Sequence, residues 1–196
     1  MSTTRALGTL ALLAGLQAIG LAQDTPVKQP RNKLEELVSR KGVVLIKKMY
    51  GIRTFTWDLG RDDKITLAIS AIHAYEADKK DQGVFGVRFE GQPILGVSTT
   101  ALLDLTSARS LLTALEAMIA QGKETAGTTP EFLEVKFALG DSLECGFNQQ
   151  GTLQRPFIVL GSDLTRTLRS SRMADLDDLK AAVALEIEKL AELGAK

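Results

Sequence analysis

The 196-residue sequence predicts an α+β fold: an antiparallel sheet of about six strands with two main amphipathic helices packed on one face. Three observations carry this expectation. Segments with apolar residues at every second position occur in two runs. Each run is closed by a stretch with apolar residues at helical spacing. The order is strands then helix, not strand-helix alternation, which disfavours a doubly wound parallel sheet. A hydrophobic fraction of 44% with 24% charged residues is ordinary globular usage.

Residues 1–22 carry one positive charge, Arg5, an apolar stretch from Ala6 to Leu16, and small residues Gly20 and Ala22. That layout predicts a secretory signal peptide cleaved after Ala22. Gln17 and the glycines break the apolar run, so a membrane anchor is disfavoured, and no integral span is expected after processing. Residues 23–32 hold two prolines and no hydrophobic period, and read as a flexible leader before one globular domain over 33–196.

In the domain, Leu34, Leu37 and Val38 recur at helical spacing and predict a short helix. The period then changes to two. Phe55, Trp57 and Leu59 alternate with Thr54, Thr56 and Asp58, while the preceding residues are apolar on both faces up to Lys47 and Lys48. Gly51 between them is expected to mark a bend or bulge. Ile65, Leu67, Ile69, Ala71, His73 and Tyr75 line one face of a second, long strand, and Phe85, Val87 and Phe89 one face of a third. Residues 104–121 switch to helical spacing, with Asp104 or Thr106 as N-cap and Gly122 as the expected stop.

The second half repeats the order. Residues 132–147 read as a hairpin with Gly140-Asp141 as a two-residue loop, and Leu143, Cys145 and Phe147 inward. Residues 153–161 supply a strand whose Pro156 favours an edge or bulge. Leu176, Leu179, Val183, Ile187 and Leu190 line the last helix, with Asp175, Asp177 and Asp178 at its positive N-terminal end. Meander-then-helix twice over is the pattern of a degenerate duplication, without a residue-level repeat to establish it.

The chemistry is constrained by what is scarce. One cysteine and one histidine supply neither an internal disulfide nor a multi-histidine metal centre, and no metal or other cofactor is expected. Lys+Arg and Asp+Glu are equal at 24 each, and aromatic residues make up 5%, which argues against nucleic acid. His73 lacks an orienting carboxylate on its own face, and Cys145 sits on an apolar face where a thiol is inert. Asp62 and Asp63 read as turn chemistry, and the Asp175 group as helix N-terminal charge. No nucleophile elbow, phosphate loop or zinc-protease motif occurs.

The best anion-binding candidates are Arg166, Arg169 and Arg172, spaced by three among Thr165, Thr167, Ser170 and Ser171. Guanidinium forks beside hydroxyls suit phosphate or carboxylate, and residues three apart share a face if the segment is helical. The functional expectation is an exported, periplasmic or secreted, non-catalytic domain that binds a partner protein or a small anionic ligand. The alternatives are a small envelope or secreted hydrolase or transferase without a recognisable motif, and a structural subunit of an envelope assembly.

Overall fold

The computed structural model describes residues 32–58, 64–92, 98–161 and 167–195. The expected signal segment, most of the leader, Asp62, Asp63 and Arg166 lie outside the described residues. The strands β1 (Leu45–Asp58), β2 (Lys64–Glu76), β3 (Val84–Gln92) and β4 (Thr99–Asp104) form one antiparallel sheet in that order. A second antiparallel sheet has the order β5 (Leu133–Leu139), β6 (Leu143–Gln150), β7 (Leu153–Leu160) and β8 (Thr167–Arg169). Helix α1 (Lys33–Ser39) precedes the first sheet, α2 (Leu105–Thr125) follows it, and α3 (Ala174–Glu192) follows the second.

The α+β class and antiparallel pairing are thus as expected, but among the described residues the strands are eight in two sheets, not six in one. The two additional strands, β4 and β8, close the two meanders and are short. β4 runs straight into α2, so its alternation is cut off at Asp104, whose carboxylate accepts from Ser107 N (2.9 Å) as the helix N-cap. β8 spans only three residues, which is too brief for a period to register.

One apolar core joins both sheets to α2 and α3. It combines Trp57, Leu67, Ile69, Val87, Phe89 and Leu103 of the first sheet with Leu143, Cys145, Phe147, Ile158 and Leu160 of the second. Leu111 and Leu115 of α2, and Leu176, Leu179 and Val183 of α3, complete it. The two main helices, α2 and α3, share this one core. Helix α1 lies on the opposite face of the first sheet, where Leu34 and Leu37 pack with Ile72 and Ala74 in a separate small cluster. Asn32, at the end of the expected leader, is the N-cap of α1: its Oδ1 accepts from Leu34 N and Glu35 N, and its Nδ2 donates to Leu102 O (2.8 Å). At the far end of α1, Arg40 donates to Glu76 (2.7 Å), which also accepts from Lys79 (2.6 Å). These bonds, that from Lys79 above all, hold the Glu76 carboxyl below the usual glutamate range.

The irregularity expected at Gly51 is present. Tyr50 pairs with Ala71 but Arg53 with Ile69, so Gly51 (φ +61°) and Ile52 form a bulge. One extra residue reverses the facing of everything before it, so Tyr50 and Phe55 both pack against the shared core. That reversal is why the first half of β1 reads as apolar on both faces.

Three local expectations are corrected. The β5–β6 loop has three residues, since Leu139 pairs with Leu143, and Gly140 (φ +56°) opens it. Pro156 is not on an edge strand, because β7 lies between β6 and β8. It is tolerated there because its carbonyl accepts from Ser170 N (2.8 Å) on the β8 side, while the β8 ladder begins one residue later at Phe157. Gly122 does not end α2. The helix runs three residues further, and its last carbonyls find side-chain amides from the β6–β7 hairpin: Gln154 Nε2 donates to Gly122 O (2.8 Å) and Gln149 Nε2 to Thr125 O (3.0 Å).

Candidate functional site

The three sequence-predicted arginines do not form a helical face. Arg166 lies outside the described residues, Arg169 is exposed in β8, and Arg172 follows in the turn before α3. Arg172 already has a partner, since its Nη2 lies 2.5 Å from Oδ1 of the buried Asp175. Asp175 also accepts from Ser170 Oγ. Asp175 thus ties the turn to the first turn of α3, and Arg172 and Ser170 are used locally.

Arg169 instead joins a groove of about 390 Å³ on the outer face of the second sheet, lined by Phe132, Asn148, Gln150, Leu153, Arg155 and Phe157. The register builds it. Asn148 stands opposite Arg155, and Phe157 stands opposite Arg169. Side chains two apart on one strand share a face, so Arg155 and Arg169 are diagonal neighbours at about 7–8 Å, with Phe157 between them. Phe157 is buried and forms the floor, while Phe132 (66% exposed) and Leu153 (48% exposed) stand at the rim.

The electrostatics of this face are unbalanced. Arg40, Arg53, Arg88 and Arg172 each pair with a carboxylate. Arg155 and Arg169 make no ion pair among the described residues. The acids nearest in register, Glu134 and Glu144, are taken up by Lys136 at 3.6 and 3.7 Å. Asn148 adds a buried Oδ1 with no hydrogen-bond donor. Two free forks, one free acceptor and apolar walls fit an anion that carries an apolar body and a donor group.

The other reactive groups stand elsewhere. His73 stacks on Phe85 at 4.0 Å and 6° in the first sheet, beside Tyr75. Burial first, then the cations Lys48 and Lys80, push its pKa down. His73 does not line the Arg169 groove. Cys145 is fully buried in the shared core, where desolvation pushes its thiol up to about 12. We expect native Cys145 to react with a disulfide reagent only as fast as the chain opens, and at once in denaturant. Rapid labelling of the folded chain would contradict this burial. Among the described residues no three His, Cys, Asp or Glu side chains gather as metal ligands, and no helix is long and apolar enough to cross a membrane.

Sequence reasoning missed Arg155, Asn148 and Phe132, because only the strand register brings them to Arg169. It also missed Glu186, a buried carboxylate of α3. A signal for Glu186 is present in the sequence: it stands three residues after Val183 and four before Leu190, on the apolar stripe. Comparison of the chain with protein-family models and with curated proteins gives no match.

Proposed function

We propose that the chain is an exported, non-catalytic binding domain that takes up a small organic anion on the outer face of its second sheet. The observation that carries the reading is the pair of carboxylate-free guanidiniums, Arg155 and Arg169, flanking Phe157. In this reading the anionic group lies between the forks, its apolar body rests on Phe157 against Phe132 and Leu153, and a donor meets Asn148 Oδ1. A groove of about 390 Å³ is within the size range of small-molecule sites. Arg172 stays with Asp175 and orders the turn that leads into α3. The signal-like residues 1–22 support export.

The test is a fluorescence titration with anilinonaphthalene sulfonate, an apolar aromatic anion, against its uncharged parent amine. We expect the sulfonate to bind the folded chain in preference to the amine. Arg155→Ala and Arg169→Ala should each weaken it about tenfold or more, with the melting temperature unchanged, as for loss of a charge-assisted hydrogen bond. Equal binding of both probes, or unaltered affinity in the double variant, would overturn the reading.

A further inference from the structure

Strand β1 is the edge of the first sheet, and no described strand pairs with its outer side. Edge strands are normally blunted, because their free N–H and C=O groups template pairing with another chain. The stretch of β1 before the Gly51 bulge has an ordered composition. On the face shared with α1 it presents Leu45, Lys47 and Met49, in register with Glu76, Ala74 and Ile72. On the other face it presents Ile46, Lys48 and Tyr50, in register with Tyr75, His73 and Ala71. Each face therefore carries one lysine between two apolar residues. Lys47 and Lys48 are exposed and make no ion pair among the described residues, although Lys48 lies 5.8 Å from the Tyr75 ring centre.

Apolar surface is exposed within these six residues and beyond them. Val43 and Val44 are 40% and 71% exposed, Met49 49% and Ile52 64%. From Arg40 to Trp57 the chain carries Arg40, Lys41, Lys47, Lys48 and Arg53 and no acidic residue. Arg40 and Arg53 are occupied by Glu76 and Glu186, which leaves the lysines to act outward.

This charge decides between two occupants. A second copy pairing antiparallel about the centre of the stretch keeps each side chain on its own face, so it would set Lys47 opposite Lys47 or Lys48 opposite Lys48 of the other chain. Like charges directly opposed are destabilising in a ladder. An extended segment with two consecutive acidic residues meets the opposite situation. Successive side chains of a strand alternate faces, so one acid falls against Lys47 and the other against Lys48.

We infer that the outer edge of β1 receives an extended segment of a partner protein by strand addition, and that the segment reads as two apolar, two acidic and two apolar residues. The backbone ladder supplies affinity, the central acids set register against the lysines, and the apolar pairs cover Leu45, Ile46, Met49 and Tyr50. The bulge at Gly51 and Ile52 ends the docking stretch by bending the edge away.

The probe is a capped, fluorescently labelled peptide with two central glutamates flanked by paired valines, titrated against the full chain by anisotropy at low salt. Three comparisons read the mechanism. Replacing the glutamates by glutamine should weaken binding about tenfold, the sum of two exposed cross-strand ion pairs. N-methylating alternate amides should abolish binding, which a purely electrostatic contact would survive. The Lys47→Glu, Lys48→Glu double variant should lose the glutamate peptide and gain its lysine counterpart, with an unchanged melting curve.

The Arg155→Ala, Arg169→Ala variant must bind the peptide as the parent does, so failure of the anion groove and failure of this edge are separable. Indifference to glutamine or to N-methylation, loss of binding in the arginine variant, or micromolar self-association through β1 would each overturn the inference.

Discussion

Gly86→Ala is expected to cost about 3 kcal/mol or more, roughly 6–12 °C in melting temperature for a chain of this size. A Cβ at this central position of β3 would lie 2.1 Å from Leu103 O of β4 and 2.7 Å from Leu34 Cδ2 of α1. Neither wall yields cheaply. Leu103 O belongs to a paired strand, and Leu34 is fully buried at the centre of the α1 contact. Relief requires either β4 or α1 to move, and with them the Asn32 bond to Leu102 O. Gly127→Ala is the control, because nothing lies within 4 Å of its added Cβ. Thermal melting of the two variants checks the contrast, and a Gly86→Ala melting curve superimposed on the parent's would contradict the strand spacing described.

Glu186→Ala should destabilise by about 2–3 kcal/mol, whereas Glu186→Gln should hold or raise the melting temperature at neutral pH. The difference follows from the bulge. The extra residue in β1 leaves Ala71 N–H without a ladder acceptor, and Glu186 Oε2 from α3 accepts it at 2.9 Å. Gly51 leaves room for this, since an added Cβ would stand 3.1 Å from the same oxygen. Alanine removes the acceptor and empties the site. Glutamine keeps the acceptor and removes a buried charge.

The pH dependence has a definite sign. Burial raises the Glu186 carboxyl above the usual glutamate value of 4.5, against the opposing Ala71 bond and Arg53, whose Nε is 3.2 Å away. A raised folded-state pKa gives stability that is fully present below the unfolded value and lost as pH rises through the folded one. Any advantage of Gln over Glu should therefore be present at neutral pH and vanish below about pH 4.5, where both side chains are uncharged. Melting curves of the parent and the two variants across this range check it. An advantage for Gln that persists unchanged in acid would show that the buried charge is not its source.

The elements legible in the sequence are those whose periodicity is long and uninterrupted. The alternation from Ile65 to Tyr75 is β2, and Leu105, Ala108, Leu111, Leu115 and Met118 are the buried stripe of α2. Gly51 as a bulge was legible too, because the lysine-containing half and the threonine-containing half of β1 do not share one phase. Signals decided by distant partners were not legible. Gly122 has the look of a helix stop, yet the helix passes it, because Gln149 and Gln154 satisfy carbonyls that would otherwise favour an end. At the candidate site, Arg169 was visible as a cation among hydroxyl residues. Its relation to Arg155, fourteen positions earlier, exists only once β7 and β8 pair with Phe157 against Arg169. Sequence pattern reports which face a residue occupies, not which strand lies beside it.

In both sheets every strand pairs only with its neighbour along the chain. Ladders of this kind close through short connections, so their chain-entropy cost is small and each sheet assembles from local encounters. The core, however, is shared between the two meanders and the two long helices, and neither half buries its apolar face alone. Contact order is therefore low within each half and high between them, so the contacts that cost most chain entropy are those between the halves.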